Sequence, residues 1–309
     1  MSDITNDVII VGGGPAGLTA AIYTSRDGLD TLLLEQAVCG GLAGTTDLIE
    51  NYPGFPDGIN GMELIAKFKE QALRFGTNIV EFKEVKGIEP TRNRIKVQTA
   101  QGEHNALAVI IASGSTPRTL GIPGEEEYTG RGVSYCATCD GYSYRDRKVL
   151  VAGGGDAAVK EAMFLTKLAS KVYIIHRRDT LGADRIVQDR ARSSEKIQFV
   201  WDTVVTGVMG DDVVTGVRLK NVRTGEESTL QADGVFIYVG VLPNSKFLEG
   251  LVELDDSGHI VTNEEMETSV PGIYAVGDVR SKKVRQISVA CGEATIAAIS
   301  VRDYIKELT

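Results

Sequence analysis

The sequence has 309 residues, of which 42% are hydrophobic and 24% are charged, the balance of an ordinary globular protein. Its formal net charge of −9 disfavours nucleic acid as a partner, because an acidic surface repels a phosphate backbone. No apolar stretch approaches the roughly 18 residues of a membrane span, and the first residues lack the basic and apolar segments of a secretory signal, so we expect no membrane association and a cytoplasmic location.

An internal repeat is the most informative feature of the chain. Residues 7–36 contain an apolar run, a glycine cluster, an amphipathic helical pattern and a second apolar run, and residues 148–177 contain the same series. Each copy is typical of a strand–helix–strand unit that binds a dinucleotide. We therefore predict an α/β protein with two nested Rossmann-like dinucleotide-binding domains, each built on a parallel sheet with helices on its faces.

The remaining pattern assigns further elements to the first domain. Helical periodicity covers residues 61–75 and 290–305, and residues 272–279 predict a buried strand that runs into a Gly-Asp turn. Further strand-like runs lie at residues 79–82, 94–99 and 108–112.

The C-terminal pattern indicates that the chain returns to its first domain near its end. We predict a discontinuous first domain at residues 1–115 and 246–309, and a second domain at residues 116–245. The proline-bearing polar segments 115–118 and 241–245 are the expected crossings between them.

The first glycine cluster predicts a pyrophosphate loop. Gly12, Gly14 and Gly17 would let the backbone approach the phosphates at the positive end of the following helix. Glu35 stands where an acidic side chain accepts hydrogen bonds from a ribose and repels a 2′-phosphate, so this copy suits FAD or NAD. A chance glycine turn is the alternative, but the strand, helix, second strand and acid all fall in place.

The second copy makes the opposite choice of charge. Gly153 and Gly155 repeat the glycine pattern, but His176, Arg177 and Arg178 replace the acidic residue. Guanidinium groups offer forked donors and a permanent charge, which predicts a 2′-phosphate and therefore NADP(H). A solvated basic patch is the alternative interpretation.

The cysteine spacing predicts redox chemistry. Cys136 and Cys139 are separated by two residues, whereas Cys39 and Cys291 are isolated and are given no role. Zinc would need two further ligands, and the three histidines are scattered, so we expect no metal site. A two-residue gap lets two sulfurs close a small reducible disulfide, although two structural cysteines could share this spacing.

Motifs along the whole chain resemble one family. They are GGGPAGL at residues 12–18, ENYPG at 50–54, CATCDG at 136–141, GGGDAA at 153–158, HRRD at 176–179, and GDV at 277–279 followed by Arg285 and Gln286. The chain resembles the low-molecular-weight thioredoxin reductases of bacteria and archaea. Relatives that reduce ferredoxin or flavodoxin share the fold but lack the cysteine pair.

The resemblance implies an FAD-dependent thioredoxin-disulfide reductase that forms a homodimer. Electrons would pass from NADPH through FAD to a Cys136–Cys139 disulfide, and from there to a small thioredoxin-like protein. Cys139 resembles the thiol that faces the flavin, and Cys136 the thiol that attacks the partner. Asp140 resembles the acid/base that serves the thiolate.

The resemblance also implies the cofactor contacts. The residues expected to bind FAD are Gly12, Gly14, Pro15, Ala16, Gly17, Glu35, Gln36, Gly41, Leu42, Asn51, Gly277, Asp278, Arg285, Gln286 and Ile287. The residues expected to bind NADP(H) are Gly153, Gly155, Asp156, Ala157, His176, Arg177 and Arg178.

One position departs from the family pattern. Gly182 stands where members of the family usually carry another arginine for the 2′-phosphate, and Arg185 is a candidate to compensate. A hydrogen bond to a charged group contributes roughly 1.5–3 kcal/mol, so its loss would erode the preference for NADPH over NADH by about tenfold or more. Two alternatives to the interpretation as an NADPH-dependent enzyme stay open: a disulfide reductase with another donor (NADH, a deazaflavin or ferredoxin), and a non-catalytic redox-sensing flavoprotein.

Overall fold

The structure is a computed structural model that describes residues 5–46 and 48–308. Its α-helices are α1 (Pro15–Arg26), α2 (Gly41–Gly44), α3 (Gly61–Arg74), α4 (Ala137–Asp140), α5 (Asp156–Thr166), α6 (Arg185–Arg192) and α7 (Ile287–Leu308). Among the described residues, no helix combines the length and the apolar character that a membrane crossing requires.

The strands are short and occur in both halves of the chain. They are β1 (Thr5–Val11), β2 (Thr31–Leu34), β3 (Asn78–Val80), β4 (Val85–Pro90), β5 (Ile95–Thr99), β6 (Gly102–Ile111), β7 (Ser115–Pro117), β8 (Val133–Ser134), β9 (Lys148–Gly153), β10 (Lys171–Ile175), β11 (Ile197–Val200), β12 (Thr203–Gly210), β13 (Val214–Asn221), β14 (Glu227–Gln231), β15 (Gly234–Tyr238), β16 (Val241–Pro243) and β17 (Ile273–Ala275).

The chain divides into two compact units. The first contains Met1–Thr116 and Leu242–Thr309, and the second contains Pro117–Val241. The two division points lie inside β7 and β16.

A seven-stranded sheet forms the centre of the first unit. Its order is β3-β2-β1-β6-β5-β4, and β17 pairs with the C-terminal end of β6. The strands β3, β2, β1, β6 and β17 pair in parallel, whereas β5 runs antiparallel to both of its neighbours, β6 and β4. Val8 and Ile10 of β1 pack in one core with residues of α1 and α7, and Ile9 and Val11 pack in a second core on the other face. The continuous apolar run of β1 follows from this burial on both faces.

The second unit has the same layering. Its parallel sheet has the order β11-β10-β9-β15-β8. Val149 and Val151 of β9 pack with residues of α5, while Leu150 and Ala152 pack with the antiparallel sheet β12-β13-β14. The repeat therefore appears as β1-α1-β2 in the first unit and β9-α5-β10 in the second.

The predicted α/β class and the main predicted helices are confirmed. The pattern at residues 61–75 corresponds to α3, where the Asn60 side chain caps the helix by accepting from the backbone N–H of Met62 at 3.0 Å. The pattern at residues 290–305 lies within α7. The antiparallel sheet β12-β13-β14 was not predicted.

Candidate functional site

The first glycine loop is packed too closely for side chains at two positions. Gly12 has a φ of +111°, and a Cβ there would lie 2.3 Å from the carbonyl oxygen of Ala112. A Cβ at Gly17 would lie 1.8 Å from the carbonyl oxygen of Gly12. Both residues must be glycine because the ends of β1 and β6 and the first turns of α1 approach so closely.

Packing against the protein does not require a glycine at Gly14, which instead leaves open space at the start of α1. It is the N-cap of α1 with a φ of −78°, no side chain caps this helix, and a Cβ there would meet nothing within 4 Å. Pro15 and the buried Ala16 follow in the first turn. An open helix N-terminus offers N–H groups and a positive dipole end to an anion, so a pyrophosphate fits here.

Glu35 fixes the loop from the end of β2. Its Oε2 accepts the backbone N–H of Gly13 at 2.6 Å, and its Oε1 accepts that of Ala37 at 2.8 Å. A cleft of about 440 Å³ lies beside it, lined in part by Gly12, Glu35 and Gln36. The cleft lies wholly within the first unit, and its place beside the glycine loop suits an adenosine.

Five further residues predicted to contact the flavin lie in the first unit, and two of them, Asn51 and Gln286, are joined by a hydrogen bond. The amide of Asn51 donates a hydrogen bond to Oε1 of Gln286 at 2.9 Å, which joins two positions 235 residues apart in the chain. Ile287 begins α7, directly after Gln286. Gly41, with a φ of +56°, begins α2, and the next residue, Leu42, is exposed.

The Gly-Asp turn is held by a buried carboxylate. Glu293, buried on α7, accepts the backbone N–H of Gly277 at 2.9 Å. It also accepts from Nη1 of Arg280 at 2.8 Å and from Nζ of Lys282 at 2.9 Å. A Cβ at Gly277 would lie 3.0 Å from Cβ of Ala16, so this turn lies against the start of α1.

Asp278 and Arg285 add two polar groups beside this turn. Burial raises the pKa of Asp278, against the opposing charges of Lys282, whose Nζ lies 3.7 Å away, and of Arg285. Arg285 donates from Nη2 to Nε2 of His259 at 2.8 Å, and its buried Nε has no partner among the described residues. An unpartnered buried donor beside a carboxylate fits a polar cofactor at this place.

The second glycine loop repeats the geometry of the first. Gly153 has a φ of +148°, and a Cβ there would lie 2.3 Å from the carbonyl oxygen of Tyr238. Gly155 is the uncapped N-cap of α5, and a Cβ there would meet nothing within 4 Å. Asp156 begins the helix and accepts the backbone N–H of Asp184 at 2.6 Å. Ala157, the second residue of α5, is exposed, so the first turn of this helix is open to solvent.

The basic segment, residues 176–178, directly follows β10. Because β10 is parallel to β9, this segment and the second glycine loop both lie at the carboxyl ends of their strands. A Cβ at Gly154 would lie 2.4 Å from Nδ1 of His176, so the imidazole lies against the glycine loop. Burial, followed by the charges of Arg178 and Arg177, lowers the pKa of His176. Arg177 and Arg178 are exposed, and neither pairs with an acid within the described ranges 5–46 and 48–308. Two free guanidinium groups are suited to a phosphate.

Cys136 and Cys139 form a disulfide at the start of α4. Their Cα atoms are 5.3 Å apart, and Cys136 is the N-cap of the helix. The backbone N–H of Cys139 donates to Sγ of Cys136 at 3.1 Å. Cys139 is exposed and Cys136 is half-buried. An N–H aimed at a sulfur stabilises the thiolate that forms when the disulfide opens.

A serine links the cysteine segment to the predicted acid. The buried Ser134 donates its hydroxyl to Oδ2 of Asp140 at 2.6 Å and accepts the backbone N–H of Cys136 at 3.0 Å. The hydroxyl of Tyr238 accepts the backbone N–H of Ala137 at 2.8 Å. The carboxylate therefore has a fixed orientation within one turn of both sulfurs.

The other two cysteines are unpaired. Burial, together with the carboxylate of Glu81, raises the pKa of the Cys39 thiol to about 12. Burial also raises the pKa of Cys291. Neither thiol has the electropositive, accessible surroundings of a reactive cysteine. Within residues 5–46 and 48–308, no group of three or more His, Cys, Asp or Glu could hold a metal ion.

Sequence reasoning missed three residues of this arrangement: Ser134, His259 and Glu293. The position of Ser134, two residues before Cys136, was the one available signal. A histidine in a polar turn and a glutamate within a helix are ordinary surface residues by pattern alone.

A profile of the pyridine nucleotide-disulphide oxidoreductase family matches residues 6–294. The chain belongs to this family. It is also 48% identical to a thioredoxin reductase of Listeria monocytogenes over 98% of this chain and 94% of that protein, and 47% identical to one of Bacillus subtilis over 98% and 95%. A solved thioredoxin reductase of Lactococcus lactis covers 98% of this chain, with a TM-score of 0.96 and 46% identity. Within the family, the chain is therefore a member of the thioredoxin reductases, as predicted.

Proposed function

We propose that the chain is a thioredoxin-disulfide reductase, which passes electrons from NADPH through FAD to the Cys136–Cys139 disulfide and on to a thioredoxin-like protein. The observation that carries this proposal is the disulfide at the start of α4 in a chain that belongs to the thioredoxin reductases. Members of this family depend on FAD and NADPH, and the two glycine loops provide a place for each.

We assign FAD to the first unit, with the domain at residues 1–115 and 246–309. The open N-terminus of α1 suits the pyrophosphate, and the carboxylate of Glu35 beside the cleft suits an unphosphorylated ribose. Asp278, Arg285 and the Asn51–Gln286 pair would hold the remainder of the cofactor.

We assign NADP(H) to residues 116–245. The open N-terminus of α5 suits its pyrophosphate, and Arg177 and Arg178 suit a 2′-phosphate because they carry permanent charges that no protein group in the described residues neutralises. The imidazole of His176 would border the site where it lies against Gly154.

The chemistry that FAD and NADPH supply when bound is hydride transfer and two-electron reduction of a disulfide. The protein's part begins when the Cys136–Cys139 bond has been reduced. The Cys136 thiolate attacks one sulfur of the partner's disulfide, and the other sulfur of the partner leaves as a thiolate. The Cys139 thiolate then attacks Sγ of Cys136, which releases the reduced partner and restores the original disulfide with two electrons transferred.

Asp140 would manage the proton in this exchange. A carboxylate held within one turn of Cys136 can take the proton of the Cys136 thiol as the thiolate forms, and can then give that proton to the partner's leaving thiolate. The hydrogen bond from Ser134 keeps the carboxylate oriented toward the cysteine segment.

We extend the proposal to a homodimer in the cytoplasm. The homodimer rests on the resemblance to the family. The two unpaired cysteines, Cys39 and Cys291, support a reducing compartment, where thiols persist and a thioredoxin must be kept reduced.

The test compares the wild-type protein with Cys136→Ser, and with Cys291→Ser as the matched control. We expect Cys136→Ser to abolish NADPH-dependent reduction of a thioredoxin while bleaching of the flavin absorbance by NADPH continues. Cys291→Ser should retain both reactions. Full turnover in Cys136→Ser would refute the assignment, as would a purified protein that cannot hold flavin.

A different electron donor is the second candidate, because Gly182 stands where a third arginine is expected. The rates at which NADPH and NADH, at matched concentrations, reduce the flavin under anaerobic conditions separate the two. Equal reduction by both, or by neither, would favour the alternative donor.

A further inference from the structure

A salt-bridged triad lies beside the basic segment of the second unit, and we call Asp179, Asp202 and Arg223 the acid clamp. Nη2 of Arg223 lies 2.7 Å from Oδ2 of Asp179, and its Nε lies 2.9 Å from Oδ1 of Asp202. We propose that Arg223 is a specificity-determining positioning residue, which holds both carboxylates away from the arginines that recognise a nucleoside 2′-phosphate. This inference rests on the proposed NADP(H) site.

The turn between β13 and β14 presents Arg223 in a fixed place. Oδ1 of Asn221 accepts the backbone N–H of Arg223 at 2.9 Å and that of Thr224 at 3.0 Å. The backbone N–H of Val222 donates to the carbonyl of Asp202 at 2.6 Å. The guanidinium therefore starts from an ordered turn, although its side chain is 62% exposed.

Backbone hydrogen bonds join the clamp to the basic segment itself. The N–H of Asp202 donates to the carbonyl of Arg178 at 3.3 Å, and the N–H of Thr203 donates to the carbonyl of His176 at 3.0 Å. Asp179 follows Arg178 directly in the chain. Both carboxylates of the clamp are thus tied to the residues that replace the acid of the first copy.

The acid clamp acts on the charge around the 2′-phosphate site, not on the stability of the fold. An exposed ion pair contributes only about 0–1 kcal/mol to stability, so Arg223 is not needed to hold the fold. An unpaired carboxylate at position 179 could instead pair with Arg178 and repel a phosphate. Arg177, Arg178 and Arg223 against two aspartates leave a charge of +1, and removal of Arg223 leaves zero.

The rest of this region offers little else for a 2′-phosphate. Gly182 contributes no charge, and Arg185 is 95% exposed with its Nε 3.9 Å from Asp189. Among the described residues, Arg177 and Arg178 are therefore the cations that our NADP(H) assignment gives to the 2′-phosphate, so an unpaired carboxylate beside them would weaken its binding.

The experiment measures ligand binding to the intact flavoprotein by calorimetry. The probes are adenosine 2′,5′-bisphosphate and 5′-AMP, which differ by the 2′-phosphate. For Arg223→Gln we expect binding of the bisphosphate to weaken about fivefold, the effect of one unit charge at a solvent-exposed distance, and to recover toward wild type as salt rises. Binding of 5′-AMP should change less than about twofold.

Two further variants separate charge placement from a loss of order. Asp179→Asn combined with Arg223→Gln removes the freed carboxylate and should restore most of the affinity for the bisphosphate. Arg218→Gln, an exposed arginine on the same hairpin, makes the same change in net charge and should behave as wild type.

The outcomes are distinguishable. If wild type prefers the bisphosphate but Arg223→Gln binds it as tightly as wild type does, Arg223 has no part in specificity. If the double variant fails to recover, Arg223 does not act by holding the carboxylate of Asp179. Either result overturns the inference and leaves the NADP(H) assignment standing. Equal weakening of both probes would indicate lost order and would also overturn the inference. If wild type itself does not distinguish the probes, the NADP(H) assignment fails and this inference fails with it.

Discussion

Arg285 donates a hydrogen bond from Nη2 to Nε2 of His259 at 2.8 Å. Because arginine can only donate, Nε2 must accept, and the ring proton must reside on Nδ1, which faces Asp255 at 3.5 Å. Burial opposes ionisation of Asp255, but hydrogen bonds from the Ser281 hydroxyl and from the backbone of His259 and Ser257 outweigh it and lower the pKa to about 2. An anchored carboxylate thus orients the imidazole that orients Arg285.

This chain of contacts predicts that His259 influences the flavin through Arg285. His259→Phe keeps an aromatic ring but removes the acceptor, so the guanidinium should leave its place. A positive charge near a flavin favours the reduced, more negative form, and its loss should lower the midpoint potential of FAD. A tenfold change in the reduction equilibrium corresponds to about 30 mV for a two-electron couple.

Redox titration of the bound flavin measures the effect. His259→Gln retains an acceptor and should keep a potential near that of wild type. His104→Phe, a half-buried histidine on β6 without this contact, is the control for a histidine-to-phenylalanine change. An unaltered potential in His259→Phe would remove Arg285 from the flavin's surroundings.

Gly182 can accept the missing side chain. A Cβ there would meet only the carbonyl oxygen of Gly154 at 3.8 Å, an ordinary contact, and φ is outside the left-handed region. Gly182→Arg should therefore fold normally and add a third cation. One charged hydrogen bond, roughly 1.5–3 kcal/mol, should raise the ratio of kcat/KM for NADPH over NADH by about tenfold or more.

Steady-state kinetics with both cosubstrates check this prediction. Gly182→Gln adds a side chain of similar reach without the charge, and should leave the ratio near that of wild type. A rise of equal size in both variants would mean that volume, not charge, controls the preference.

Cys39 should resist alkylation at any ordinary pH. Burial, and then the carboxylate of Glu81, raises its pKa to about 12, so the reactive thiolate is present only as the pH approaches that value. After reduction and treatment with iodoacetamide at about pH 8, mass spectrometry should find label on Cys136 and Cys139 but not on Cys39. Label on Cys39 should appear after unfolding. Prompt labelling of the folded protein would contradict the buried position.

The sequence predicts the parts of the site that depend on local spacing. The two glycine loops and the replacement of Glu35 by the segment His176 to Arg178 can be read from the internal repeat, and the Cys136–Cys139 pair can be read from its two-residue spacing. The strand–helix–strand pattern also predicts that the two glycine loops lie at the ends of β1 and β9.

Side-chain contacts between residues that are far apart in the chain cannot be predicted from local spacing. Glu293 is a buried carboxylate on α7 that binds the backbone of Gly277, yet a glutamate in a helix is usually solvated. The contact between His259 and Arg285 joins two loops, whose mutual position depends on packing rather than on periodicity. The sheet β12-β13-β14 was missed because its alternating strands carry glycines, such as Gly207 and Gly216, that weaken the strand pattern.

Substitution by alanine should lower the free energy of unfolding far more at Gly12 than at Gly14. Gly12→Ala places a Cβ 2.3 Å from the carbonyl oxygen of Ala112 at a φ of +111°, so it should lower the free energy of unfolding of the FAD-free protein by about 2 kcal/mol or more. Gly14→Ala meets nothing within 4 Å and has a permitted φ, so its cost should stay below about 1 kcal/mol.

The flavin content of the purified variants then distinguishes a glycine kept for packing from one kept for a ligand. Gly14→Ala should fold yet hold FAD weakly, because the added methyl group occupies the open space where the pyrophosphate meets α1. Gly155→Ala, the equivalent residue before α5, is the matched control and should retain FAD while it binds NADPH less tightly. If Gly14→Ala kept its flavin as firmly as wild type, the N-terminus of α1 could not be the place where the pyrophosphate lies.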